Sequence, residues 1–138
     1  MSKVAVLYWS GTGNTQAMAE AVASGAREKG AEVEVLTPSE VSGVAGFDAV
    51  ALGCPAMGAE ELEDSEFVPM LENIEPDLAG KKVALFGSYG WGDGEWMRTW
   101  EARCAEKGIA LAADSVVVNE APDDEGLANC AALGAALA

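Results

Sequence analysis

The chain has 138 residues, half of them apolar, which suits one domain built round a single core. Eight basic against 23 acidic side chains give a formal charge of −15, a field that repels nucleic acid and anionic membranes and attracts basic protein surfaces. No segment approaches the roughly 20 uninterrupted apolar residues of a membrane span, and three cysteines (Cys54, Cys104, Cys130) with no Cys-x-x-Cys and no histidine argue against a disulfide framework, a zinc site and histidine general-base chemistry.

Short apolar runs alternate with longer amphipathic ones. Val4-Ala5-Val6-Leu7-Tyr8 reads as a buried strand, entered directly from the N-terminus; that leaves no room for a signal peptide, so a cytoplasmic protein is expected. A glycine-containing loop leads into a helical stretch from about Asn14 to Lys29, with Met18, Val22 and Ala26 on one face and Gly30 as its stop. Val33 and Val35 alternate with glutamates, as in a strand exposed on one side. Further strands are read at 49–52, 83–86 and 115–118, and helices at 62–74, 94–107 and 124–137. Strand–helix alternation with near-continuous apolar strands predicts a parallel, doubly wound α/β sheet covered on both faces. Ligands in such sheets sit at the carboxyl ends of the strands. The whole of 1–138 reads as one domain, with no repeat, linker or low-complexity tract.

Ser10-Gly11-Thr12-Gly13-Asn14-Thr15 follows the first strand and opens a helix. Successive backbone N–H groups and a helix N-terminus form a nest for an anion, and three hydroxyls and an amide add donors. The loop lacks lysine and arginine. It is not the nucleoside-triphosphate loop, because no G-x-x-x-x-G-K-[ST] occurs. It is not the dinucleotide fingerprint either, because the position three after Gly13 is Gln16. A neutral loop of this kind suits one terminal phosphate; a bare helix cap would need one such residue rather than four round two glycines.

The third strand runs into Gly53-Cys54-Pro55-Ala56-Met57-Gly58-Ala59-Glu60. The fourth runs into Gly87-Ser88-Tyr89-Gly90-Trp91-Gly92-Asp93-Gly94. Both loops should lie on the phosphate loop's edge of the sheet. Tyr89 and Trp91, spaced by glycine, are expected outside any helix core, and Trp91 is suited to stack on a flat ring. Met57 can pack on the ring's other face. Read singly, each residue is ordinary packing; together they describe a pocket for a phosphorylated planar aromatic.

These three segments, 8–15, 52–58 and 86–92, resemble the three FMN-contacting loops of flavodoxins, most of all the short-chain flavodoxins of anaerobic bacteria. The resemblance extends over the whole chain, including Asn119-Glu120 after the last strand. It implies a five-stranded parallel sheet of order 2-1-3-4-5 and a low-potential electron-transfer protein. Such a protein carries one electron at a time on non-covalently bound FMN between redox partners and has no substrate of its own. By the same resemblance Ser10, Thr12, Asn14 and Thr15 bind the phosphate together with the amides of Gly11 and Gly13. Ser88 lies near the phosphate or ribityl end. Met57 and Trp91 sandwich the isoalloxazine, with Pro55 and Ala56 in the same loop as Met57. The Gly58 carbonyl accepts from N5–H of the semiquinone, and Glu60 pairs with N3–H. Amides from Tyr89 through Gly90 to Trp91 meet the pyrimidine oxygens. Contact by Asn119 or Glu120 stays open. Partners would be basic surfaces of reductases, dehydrogenases or hydrogenase-type enzymes, met by a monomer.

Two features bear on redox tuning. A type II turn over residues 57–60 wants φ > 0 at Ala59, where alanine costs on the order of 1–2 kcal/mol; Ala59→Gly is therefore expected to raise the first reduction potential. Glu60, Glu61, Glu63, Asp64 and Glu66 cluster beyond the flavin loop, and they either oppose a second negative charge on the flavin or favour the N-terminus of the next helix. A flavin-dependent reductase of the same fold is the strongest rival, but few residues remain to build a second pocket. A phosphoacceptor receiver domain would need acidic strand ends and a lysine where this chain carries Gly, Ser, Met and Trp.

Overall fold

The computed structural model describes every residue except Met1, Ala59 and Trp91. Among the described residues five strands form one sheet: β1 Lys3–Tyr8, β2 Glu32–Leu36, β3 Ala49–Gly53, β4 Lys82–Tyr89 and β5 Val116–Asn119. All neighbours are parallel and the order is β2-β1-β3-β4-β5, as the resemblance implied. The helices are α1 Asn14–Glu28, α2 Phe67–Ile74, α3 Glu95–Glu106 and α4 Asp124–Leu137, with 3₁₀ turns at Pro38–Glu40 and Glu75–Asp77.

Strand periodicity sorts the core into two halves. Val4, Val6, Ala49, Ala51, Ala84 and Phe86 face α1 and α4, where Met18, Val22, Ala26, Cys130, Leu133 and Leu137 meet them. Ala5, Leu7, Val50, Leu52, Val83 and Leu85 face α2 and α3, against Phe67, Leu71, Ile74, Trp96 and Trp100. The first half is floored by alanines, so α1 and α4 lie close. A Cβ on Gly25 would overlap the Ala131 carbonyl, and one on Gly134 the Val22 carbonyl. β2 is an edge strand with Glu32 and Glu34 exposed, as its alternation predicts.

Register decides where the loops emerge. Tyr8, Gly53, Phe86 and Val116 lie abreast across the sheet. The pairing continues past the strands: the Trp9 amide donates to the Gly53 carbonyl at 3.0 Å, Cys54 to Phe86 at 3.2 Å and Ala56 to Ser88 at 3.0 Å. The described residues of segments 9–13, 54–66, 90–94 and 120–123 therefore share one edge.

Two boundaries differ from the sequence reading by more than one residue. The helix read at 62–74 begins only at Phe67; residues 64–66 are turn, because the Glu63 side chain takes the amides that an earlier helical turn would have used. Strand β4 runs three residues beyond Phe86, so Gly87, Ser88 and Tyr89 are strand rather than loop. Their pairing with Val117, Val118 and Asn119 holds them extended. Tyr89 is thereby half-buried, its ring 5.7 Å from that of Trp96, rather than free on a loop.

Candidate functional site at the carboxyl edge of the sheet

The 10–15 loop is shaped by its backbone. Gly13 precedes α1 at φ 95°, in the left-handed region, and its amide donates to Ser10 Oγ at 3.1 Å. The first helical bond is from Ala17 N to Gly13 O at 3.0 Å. The amides of Asn14, Thr15 and Gln16 thus have no acceptor within the helix. Gly11, Thr12 and Gly13 are exposed. Thr15 is 1% exposed, and its Oγ1 has no hydrogen-bond partner among the described residues. A buried hydroxyl without a partner costs about 1–3 kcal/mol and is a vacant donor for an oxyanion.

Thr12, Asn14, Pro55, Ala56, Ser88, Tyr89, Gly90, Glu120 and Ala121 line a groove of about 480 Å³ beside this loop. Seven of these were expected from sequence. Ala121 was not, and Glu120 had been left open; neither carries a motif, and both arrive through the pairing of β4 with β5. Ser88 Oγ donates to the Glu120 carbonyl at 2.6 Å, and the Glu120 amide to the Tyr89 carbonyl at 2.7 Å. Asn119 Nδ2 also donates to the Tyr89 carbonyl, at 3.2 Å, and the residue does not line the groove. Among the described lining residues there is no lysine or arginine, so neutral donors and a helix N-terminus are what an anion would meet.

The 54–66 loop forms the next wall. Glu60 N donates to the Met57 carbonyl at 2.8 Å, closing the turn expected over 57–60, and Met57 N donates to the Glu61 carbonyl at 2.9 Å. Met57 and Gly58 are exposed at its tip. Glu60, expected at the ring N3–H, accepts from the Trp96 amide at 3.2 Å at the start of α3. The expectations for Ala59 and Trp91, backbone strain and ring stacking, lie outside the described residues. The non-glycine residues of positive φ among those described are Glu60 (57°) and Glu120 (59°). Both flank this edge, where such backbone strain gathers at binding sites.

Behind the loop, Cys54 is fully buried. Burial pushes its thiol up to about 12. Glu63 is also buried, at 5% exposure. Burial drives its carboxyl up, but donors from Ser65 and from the amides of Phe67, Glu66 and Ser65 outweigh that and hold it below the usual carboxylate range. The sequence reading had Glu63 only as one acid in a cluster. The Glu-Asp-Ser run just ahead of an apolar helix was the signal available. Among the described residues no group of three His, Cys, Asp or Glu could hold a metal ion.

The donor set fits the phosphate of a mononucleotide, and the exposed methionine beside the groove fits its flat ring. A doubly wound sheet with such an edge has the architecture of mononucleotide-binding α/β proteins. The flavodoxin family model matches residues 6–134. A flavodoxin of Megasphaera elsdenii is 48% identical over 137 residues, covering 98% of each chain. One of Clostridium beijerinckii is 48% identical over 121 residues, covering 86% of this chain and 88% of that one. The solution structure of two-electron reduced Megasphaera elsdenii flavodoxin superposes with a TM-score of 0.88 over 97% of each chain, at 46% identity. The chain belongs to the flavodoxin family. Flavodoxins are FMN-binding electron-transfer proteins, and this one is an electron carrier, not an enzyme.

Proposed function

We propose that the chain acts as one FMN-binding domain and carries single electrons at low potential between redox proteins, with the groove at the sheet edge as its cofactor site. The observation that carries this reading is the buried Thr15 hydroxyl at the start of α1, which has no hydrogen-bond partner among the described residues, beside first-turn amides with no acceptor within the helix. In this reading Ser10, Thr12, Asn14 and Thr15, with the amides of Gly11 and Gly13, hold the phosphate. Ser88, Tyr89 and Gly90 line the ribityl and pyrimidine side. Pro55, Ala56, Met57 and Gly58 cover the ring, with Trp91 opposite and Glu60 at its polar edge. Bound FMN supplies the electron chemistry; the chain supplies position and field.

Each part of the chain has a definable task. The loop amides orient the phosphate without adding positive charge. Met57 shields one ring face from water. The exposed carboxylates of Glu61, Asp64 and Glu66 lie beyond the ring loop; they oppose further negative charge there and attract basic partner surfaces, such as those of reductases, dehydrogenases or hydrogenase-type enzymes. Among the described residues no helix is long and apolar enough to cross a membrane, and the proposed carrier is a cytoplasmic monomer.

Purification and cofactor uptake test this. The protein is expected to be yellow, and its apoprotein to quench the fluorescence of added FMN on binding. Reduced nicotinamide cofactor alone should not bleach it. A colourless preparation that takes up no FMN overturns the site.

A further inference from the structure

The acids beyond the flavin loop fall into two kinds. Glu61, Asp64 and Glu66 are exposed, whereas Glu63 is buried. Glu63 Oε1 accepts from the Glu66 and Phe67 amides, each at 2.8 Å. Its Oε2 accepts from the Ser65 amide at 2.9 Å and from Ser65 Oγ. Four donors and the N-terminus of α2 thus surround one carboxylate. The backbone of the same residue ties the loop to the sheet: Glu63 N donates to Cys54 Sγ at 3.4 Å, and Glu63 O accepts from Val68 N at 3.0 Å.

Between Cys54 and Glu63 lies the segment that carries Met57, Gly58 and Glu60. Its outgoing limb is fixed on β4 through Ala56 N and the Ser88 carbonyl. Its return limb reaches the body of the protein at two places, through the Glu60 carboxylate on the Trp96 amide and through Glu63 on α2. We propose that Glu63 is a positioning residue of the FMN site: its buried carboxylate anchors the return limb on α2 and so sets where Met57 and Gly58 meet the flavin. The inference rests on the reading of 54–60 as the flavin loop. It differs from a through-space role in what each predicts: Glu63 keeps its full charge whether or not the limb is anchored, so a change of length at constant charge moves the loop and leaves the charge in place.

Length separates position from charge. Glu63→Asp keeps the charge but withdraws the carboxylate by one methylene. Glu63→Gln keeps the length but offers an amide NH₂ to amide donors. Asp64→Asn removes one exposed charge nearby. The full chain of each is compared for FMN affinity by fluorescence quenching, for both reduction potentials by spectroelectrochemical titration, and for hydrogen exchange of the Glu66 and Phe67 amides in the apoprotein.

Both Glu63 variants are expected to weaken FMN by about tenfold, equivalent to about 1.4 kcal/mol. Both should shift the first-electron potential and speed exchange of the two amides. Asp64→Asn should leave FMN affinity within about twofold and move only the second-electron potential. Glu63→Asp behaving as the parent protein, or Glu63→Gln behaving as Asp64→Asn, overturns the proposal. If the Glu63 variants do not fold, Ser65→Ala removes one donor with every charge retained; parental FMN affinity and first potential in that variant overturn it equally. A parent protein that takes up no FMN would instead overturn the assignment of the site.

Discussion

Thr15 carries a prediction whose two halves have opposite sign. Its hydroxyl is buried without a partner among the described residues, so Thr15→Val, nearly the same shape, removes a group that costs about 1–3 kcal/mol to bury. The apoprotein should be as stable as the parent or more so by urea unfolding, while FMN affinity falls about tenfold, the loss of one phosphate hydrogen bond. Lower stability together with unchanged affinity would assign the hydroxyl to the fold. The thiols make a second case. Cys54, Cys104 and Cys130 are all buried and free. Burial pushes Cys54 and Cys130 to about 12; burial, then the Glu75 carboxylate, pushes Cys104 to about 11. Native protein at neutral pH should give no reaction with a thiol-specific chromogenic disulfide, and three thiols should react in denaturant. Thr15 was legible because its chemistry is local to one loop. Glu63 was not, because its burial depends on α2 and β3 meeting.

At the scale of elements, the α1–α4 contact is the tightest constraint. Gly25 and Gly134 meet backbone carbonyls, not movable side chains. Alanine is the better helix former by about 1 kcal/mol, yet Gly134→Ala should lower stability by about 1–3 kcal/mol, since the two helices must part. A urea midpoint at or above that of the parent would show that the helices can separate without penalty. On the opposite face, Arg103 grips buried Glu75 through Nε and Nη2 at 2.7 and 2.8 Å, tying α3 to the turn after α2. Helix positions were legible because amphipathic spacing is intrinsic to the chain. The start of α2 and the end of β4 were not, because a distant carboxylate and a neighbouring strand set them.

The whole molecule carries −15 charge, and that field stores self-repulsion in the compact state. The Debye length falls from about 30 Å at 0.01 M to about 8 Å at 0.15 M salt. The apoprotein's melting temperature should rise over that range, and electron transfer to a basic partner should slow over the same range. A melting temperature indifferent to salt would mean the acids are already locally compensated, as Glu63 and Glu75 are.

Order of elements, sheet type and the place of the hydroxyl–glycine loop ahead of the first helix were determined by the sequence by itself: apolar period, helix stops and turn residues are properties of short segments. Tertiary structure alone decided the rest. Parallel register set Tyr8, Gly53 and Phe86 abreast and brought Glu120 and Ala121 to the groove. Packing chose which glutamate would be buried and which would face solvent. Those outcomes depend on contacts between residues far apart in the chain, and no local pattern encodes the free energy of such contacts.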